Sequence, residues 1–168
     1  MHDAATQPAP PARSGMAPAL WRRLAAAFYD SLVLIALFIV ATFFIVPFAP
    51  HGETLDAFYV HHPAVKLAYQ FGLLALGFAF FGGFWMRSGQ TVGMLAWKLR
   101  VVQSANGARI TWKQALTRYL CAILSWLVCG LGFLWSLWDR ERKTWHDRLS
   151  GTELCMATSI AEQAGSAP

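Results

Sequence analysis

The chain has 168 residues, enough for a single domain. Apolar residues make up 56% and charged residues 14%, well under the ~25% charged of an ordinary soluble domain, so the composition is that of an integral membrane protein. A net charge of +5 would suit nucleic acid, yet no basic patch interleaved with stacking aromatics stands on a soluble segment, and we expect no nucleic-acid partner.

Residues 1–18 are rich in Pro and Ala and lack periodicity, which predicts a disordered N-terminal tail. The apolar run behind it is too long for the core of a cleaved signal, so it is expected to insert and stay. That run, residues 20–46, exceeds the ~20 residues that cross a ~30 Å hydrocarbon core. It carries Asp30, an ionisable group costing roughly 2.5–3.5 kcal/mol inside a membrane and a functional candidate for that reason. Arg23 lies seven residues earlier on the same helical face. Its side chain is expected to lean toward the N-terminus and snorkel to the headgroups. Asp30 then needs a partner from another segment.

Residues 47–63 contain no Lys or Arg. His51, His61 and His62 have no cysteine among them and no helical i, i+4 pairing, so no metal is expected there. Residues 64–86 form the second apolar run. Ala68, Gly72, Ala75, Ala79 and Gly83 recur in it at spacings of three or four, a small-residue stripe on which the first helix is expected to pack.

Residues 87–118 carry Arg87, Lys98, Arg100, Arg109, Lys113 and Arg118 and no acid. Basic loops stay in the cytoplasm, so the N-terminus and this loop are expected inside and residues 47–63 outside. Val92, Leu95, Ala96 and Leu99 share one helical face, which suits a short helix lying in the membrane surface. Asn106-Gly107 between two β-prone runs predicts a hairpin. Thr111 followed by Gln114 is the pattern of a capping box opening the next helix.

The third apolar run is Tyr119–Trp138. A single crossing would strand Arg140, Arg142, Lys143 and Arg148 outside, against the charge rule. Cys129-Gly130-Leu131-Gly132 is a weak point midway, where a broken, re-entrant hairpin would return both ends to the cytoplasm. The broken form is the favoured reading and a single crossing the alternative. Glu153–Ala157 is β-like and is expected to add a strand to the hairpin; residues 158–168 read as a disordered C-terminal tail. Cys121, Cys129 and Cys155 have no metal spacing and read as small packing residues. The expected fold is an all-α integral membrane domain over residues 19–157, with about three transmembrane segments and a short cytoplasmic β-hairpin. No cofactor is expected.

Three stretches then coincide in order: WRRLAAAFYD opening the first helix, GQTVGMLAWKLRVV after the second, and RKTWHDRLSGT near the end. Together they resemble the RDD family of small bacterial membrane proteins, named for one arginine and two aspartates. The resemblance implies that Arg23 is that arginine and that Asp30 and Asp147 are the aspartates. It also matches Gly89, Gln90, Thr91 and Gly93 to the family's small loop motif, Arg118 to the arginine before the last apolar segment, and Gly151-Thr152 to its closing pair. Met94 departs from the pattern, standing where many relatives carry a lysine. The resemblance implies a multi-pass protein of the bacterial inner membrane, of a family with presumptive transport proteins and proposed cation/proton antiporters.

Two function classes follow, a transport-related role (cation/proton exchange or small-ligand transport) as the leading reading and a scaffold as the alternative. In the first, Asp30 is the proton- or cation-carrying carboxylate of a small transporter or exchanger, assembled as a homo-oligomer. In the second, the chain is a non-transporting scaffold or assembly partner, and Asp30 is a structural ion pair with Arg118. Asp147 reads as a helix cap or as the pair of cytoplasmic cations. His146-Asp147 has no Ser or Cys nucleophile in a motif around it, so no enzyme is expected. The expected partners are the lipid bilayer and either further copies or another membrane protein.

Overall fold

The computed structural model describes residues 17–45 and 55–157. The two predicted tails lie outside these residues, apart from Ala17 and Pro18. Those two are folded: Pro18 is buried and its carbonyl faces Arg23 Nε at 3.5 Å. His51 also lies outside the described residues.

Two long apolar helices, α1 (Leu20–Ile45) and α3 (Pro63–Arg87), form the membrane spans, joined through a short helix α2 (Leu55–His61). The spanning stretches Leu20–Phe44 and Pro63–Arg87 each run 25 residues, or about 37 Å at 1.5 Å per residue, ample for a ~30 Å core. Pro63 opens α3 where its missing N–H costs nothing. Large apolar side chains such as Ile39, Phe43, Phe71 and Leu74 stay outward, as lipid-facing residues do.

After α3 the chain tightens into α4 (Val92–Ala96), β1 (Leu99–Gln103), α5 (Trp112–Leu127), α6 (Leu131–Leu134), a 3-10 turn (Trp135–Leu137), α7 (Trp145–Ser150) and β2 (Thr152–Met156). Val92, Leu95 and Ala96 of α4 face outward beside Trp21, whose ring meets that of Trp97 edge-on at 5.3 Å. Leu99 does not continue this face, because the helix has ended and Leu99 is fully buried in β1. The predicted capping box opens α5, with Thr111 and Gln114 each bonding the other's backbone N–H.

The small sheet is present, but its second strand differs from the expected hairpin arm. The Asn106-Gly107 turn forms, with Gly107 N donating to Gln103 O at 2.9 Å and Gln103 N to Ala108 O at 2.9 Å. No strand follows it, because Ile110 is already in the core and Thr111 caps α5, leaving too few residues to pair. The partner of β1 is β2, antiparallel, with Leu99 opposite Met156 and Gln103 opposite Thr152. Leu99, Val101 and Leu154 pack with Ala26, Trp85, Ile110, Ala115 and Tyr119 into the core at this end of the molecule.

The third apolar run is broken. Cys129 and Gly130 both take positive φ, 55° and 75°, and Gly130 N reaches back to Ser125 O at 2.8 Å, closing the helix end. The segments on either side meet at 108°. The chain then returns along α5: α7 packs on it and β2 joins β1, so Ala157 N bonds Lys98 O at 2.8 Å. Both ends of the broken run therefore sit at one end of the molecule.

One packing expectation is corrected. Ala68, Gly72, Ala75 and Ala79 are exposed and Gly83 is half-buried, and an added Cβ at Gly72 or Gly83 would meet nothing within 4 Å. The stripe faces away from α1. The seam of α3 runs instead through Gly77, which Tyr119 of α5 covers while its hydroxyl donates to Leu74 O at 3.0 Å. Helix α1 touches α3 near Phe38 and at the Thr42–Tyr69 hydroxyl pair, 2.6 Å apart. Gly77 lies off the Ala/Gly stripe, which is the longer row of small residues on α3.

The return of the chain is testable by cysteine labelling in sealed vesicles, with Cys121, Cys129 and Cys155 replaced. Asn106→Cys and Glu141→Cys, both exposed, label from one side, and a cysteine at Val60 labels from the other. Labelling of positions 106 and 141 from opposite sides would mean that the third run crosses once.

Candidate functional site: a buried charge cluster beside a lateral cavity

Asp147 is fully buried and stands between two guanidiniums. Its Oδ2 accepts from Arg23 Nη1 at 2.7 Å, and its Oδ1 accepts from Arg118 Nη1. It also closes a capping box at the start of α7: Oδ2 accepts from Thr144 N at 3.1 Å, and the Thr144 hydroxyl accepts from Asp147 N. A Thr with an acid three residues on is a legible capping pattern, and Thr144 was nevertheless missed. One carboxylate thus joins α1, α5 and α7.

The arginines are held on further sides. Arg23 Nη2 donates to the carbonyl of Arg142 at 2.9 Å, and Arg142 is one of the non-glycine residues with positive φ, 53°. Arg118 Nη1 donates to Thr152 Oγ1 at 2.8 Å, and its guanidinium lies 5.4 Å from the centre of the Trp85 ring. Thr152 in turn shares a bond with Ser150. Arg23 and Arg118 are only 6% and 3% exposed, which corrects the snorkelling expected of Arg23. Helix α7 and the Arg142 turn cover the headgroup end of α1 and supply acceptors that the isolated helix lacks.

Asp30 is also buried, at 2% exposure, but Arg118 is not its partner. Its two oxygens accept from the Thr91 hydroxyl and from Gly93 N, the latter at 2.8 Å. Thr91 is the N-cap of α4 and accepts from Met94 N at 3.3 Å. At Gly93 the α4 backbone sits so close to α1 that a Cβ would overlap the Ala26 carbonyl. The rest of the motif shapes the approach. Gly89, at φ 72°, lets Val101 N donate to its carbonyl at 2.8 Å, and Gln90 Nε2 holds Leu99 O at 2.7 Å. Gly151 ends α7 in the left-handed region, φ 64°, and its carbonyl receives Ser104 N. Every motif position thus has a specific structural task.

Between α1, α3 and α5 lies a cavity of about 310 Å³. Leu34, Phe38, Leu74, Phe81 and Ile123 supply apolar wall, and Arg23, Asp30, Arg118 and His146 line the same space. Arg118 Nε, Trp85 Nε1 and His146 Nδ1 are buried without a hydrogen-bond partner. None of Trp85, His146 or the cavity itself was singled out from the sequence as a site feature, since nothing in local spacing announces a gap between helices.

Burial opposes the charge on Asp147, yet the Arg118 charge, with His146 and Arg23, holds its carboxyl well below the usual carboxylate range. Burial and the Arg118 charge push His146 down to about 3, so it is neutral near pH 7. Two predictions follow from these environments. Asp147→Asn leaves two buried guanidiniums without their carboxylate and costs roughly 3–5 kcal/mol; thermal unfolding of the detergent-purified protein reads this as a large fall in midpoint, and an unchanged midpoint refutes it. The unfolded state takes up a proton on His146 as pH falls through 6.5, which the folded state resists down to about 3. Stability therefore declines from pH 6.5 toward 4. Asp147 keeps its contribution over that window, losing it only below the carboxylate range. His146→Leu flattens the decline, measured as unfolding midpoint against pH.

The sequence pattern of the RDD family matches residues 17–151. The proline-rich antigen of Mycobacterium leprae is 30% identical over 69 residues, 41% of this chain and 27% of that protein. A proline-rich antigen homolog of Mycobacterium tuberculosis is 31% identical over 64 residues, 38% of this chain and 27% of its own length. The chain thus matches about a quarter of the length of these curated relatives. No solved structure matches. With Arg23, Asp30, Asp147 and the intervening motif in one buried framework inside the matched range, the chain belongs to the RDD family.

Proposed function

We propose that the chain is a non-transporting, non-catalytic module of the bacterial inner membrane that acts as an assembly partner for other membrane components. Its N-terminus and the basic segment 87–118 lie in the cytoplasm in this reading, as the absence of Lys and Arg from residues 47–63 suggests. The observation that carries the reading is the commitment of both buried acids. Asp147 is shared by two arginines and a cap, and Asp30 has each oxygen taken by α4. A carboxylate that loads and releases an ion in a transport cycle needs acceptor capacity facing a path, and these two hold short helices in place. The outward stripe Ala68, Gly72, Ala75, Ala79 and Gly83 offers a close-approach surface to a second membrane helix, from another copy or another protein.

Cation/proton exchange is the second reading, and one observation favours it: Asp30 lines the cavity with Ser31 beside it. Proteoliposome flux separates the two. Under Na⁺, K⁺ or Li⁺ gradients the wild type is expected to give no proton-coupled flux above empty vesicles. Flux that disappears in a folded Asp30→Asn variant would overturn the assembly reading and make Asp30 a transport carboxylate.

A further inference from the structure

The end of the molecule built from the short helices is basic even with its buried acids counted. The described residues 17–30 and 87–157 hold twelve Lys and Arg against five acids, Asp30, Asp139, Glu141, Asp147 and Glu153. The buried charges balance, Arg23 and Arg118 standing against Asp147 and Asp30. Asp139 pairs with Arg148, and Glu141 and Glu153 with Lys143. The other cations, Arg22 and Lys98 among them, have no described carboxylate within 4 Å. The positive excess is therefore at the surface.

Two contacts draw Arg22 and Lys98 to one corner. The rings of their neighbours, Trp21 and Trp97, meet edge-on at 5.3 Å. Arg22 Nη1 reaches Met156 Sδ at 3.7 Å, and Met156 stands opposite Leu99, the residue after Lys98. The nearest acid along β2, Glu153, lies toward the other end of that strand and turns to Lys143. Lys98 is exposed and takes φ 54°, fixed by its N–H on Leu95 O at 3.2 Å and by Ala157 N on its carbonyl at 2.8 Å. Glycine adopts that conformation freely, so the lysine stands against the local preference. Beside the two cations Trp21 and the α4 residues Val92 and Leu95 are exposed. The first span begins at Leu20, which puts this corner at the level of the headgroups, with cations for a head and an apolar face for a chain. A phosphodiester carries one negative charge, and the Arg22 fork and the Lys98 point charge both suit its oxygens. A zwitterionic head would bring an ammonium that no nearby carboxylate receives. Nor is the Trp21 ring free for it, since the Arg22 guanidinium already lies 5.2 Å from the ring centre.

We propose that this corner binds one anionic phospholipid of the adjoining leaflet, its phosphate between Arg22 and Lys98 and an acyl chain along Val92 and Leu95. The binding stands whether or not the chain acts as an assembly partner.

The test is native mass spectrometry of the full-length protein in a neutral detergent, with phosphatidylglycerol and phosphatidylcholine of identical acyl chains as the probes. The first phosphatidylglycerol is expected to bind about ten-fold tighter than phosphatidylcholine, the scale of two cations acting on an anionic head. Arg22→Gln with Lys98→Gln brings the two lipids within about two-fold of each other. Lys98→Gly removes one charge while suiting the left-handed backbone, so it weakens phosphatidylglycerol about five-fold with the unfolding midpoint kept, which separates lost binding from lost fold. Arg109→Gln with Lys113→Gln takes the same charge from elsewhere in the basic segment and keeps the preference. Glycerol phosphate in large excess leaves the lipid bound. Equal binding of the two lipids by the wild type would overturn the proposal, as would a preference unchanged in the folded Arg22 and Lys98 variants. An equal loss in the Arg109 and Lys113 variant, or displacement by glycerol phosphate, would overturn it too.

Discussion

Two guanidiniums meeting on one buried carboxylate set the terms for the rest of this structure. Removing such charges from water is expensive, and their mutual attraction offsets the expense only when every donor and lone pair is matched. At Asp147 the matching is spread across distant segments: Arg23 from α1, Arg118 from α5, the Thr144 cap of α7 and, through Arg118, Thr152 of β2. None of the small pieces is stable by itself. Helix α7 has six residues and β2 five, far below the length at which an isolated helix persists. Burial of the charges and ordering of the C-terminal segment are therefore a single event.

Asp30 does for α4 what Asp147 does for α7. Each acid accepts backbone and side-chain donors at the start of a short helix and fastens it to a long one. Gly93 permits the approach, because a backbone lying against another backbone has no space for a side chain. The arginine and two aspartates of the family name thus belong to two adjoining clasps at one end of the molecule. The charges are far apart in the sequence, and the small sheet ties the two clasps into one body.

Much of this was legible in the residues, and the limits have physical causes. Span lengths, the capping box at Thr111 and the break at Cys129-Gly130 follow from local chemistry: run length, a hydroxyl with an amide three residues on, and glycine in an otherwise apolar helix. Pairing across long separations was legible only in part: the Glu153–Ala157 run is expected in the small sheet and β2 does join β1 there, but the partners of the buried charges are not written in local spacing. Helix geometry alone sends Arg23 outward to the headgroups, and only the fold places α7 there to receive it. The strand at residues 99–103 has two β-prone candidates for a neighbour, and the nearer one is consumed by the core position of Ile110 and the cap at Thr111. The Ala/Gly stripe had the right period for close packing, but period alone does not say which of two small-residue rows a neighbour will choose; Tyr119 covers Gly77 instead.

The separation between Arg23 and Asp147, 124 residues, also orders events during synthesis. At 5–20 residues per second, Arg23 precedes its acceptor by roughly 6–25 s. The first two spans must therefore insert with that arginine still hydrated at the interface, and it withdraws into the interior only when the last quarter of the chain arrives. Snorkelling describes the nascent protein, and the buried pair describes the finished one. A chain interrupted before residue 144 would hold both spans in the bilayer yet keep its cationic end open to water, a half-built state that differs from the mature protein in surface charge before it differs in topology.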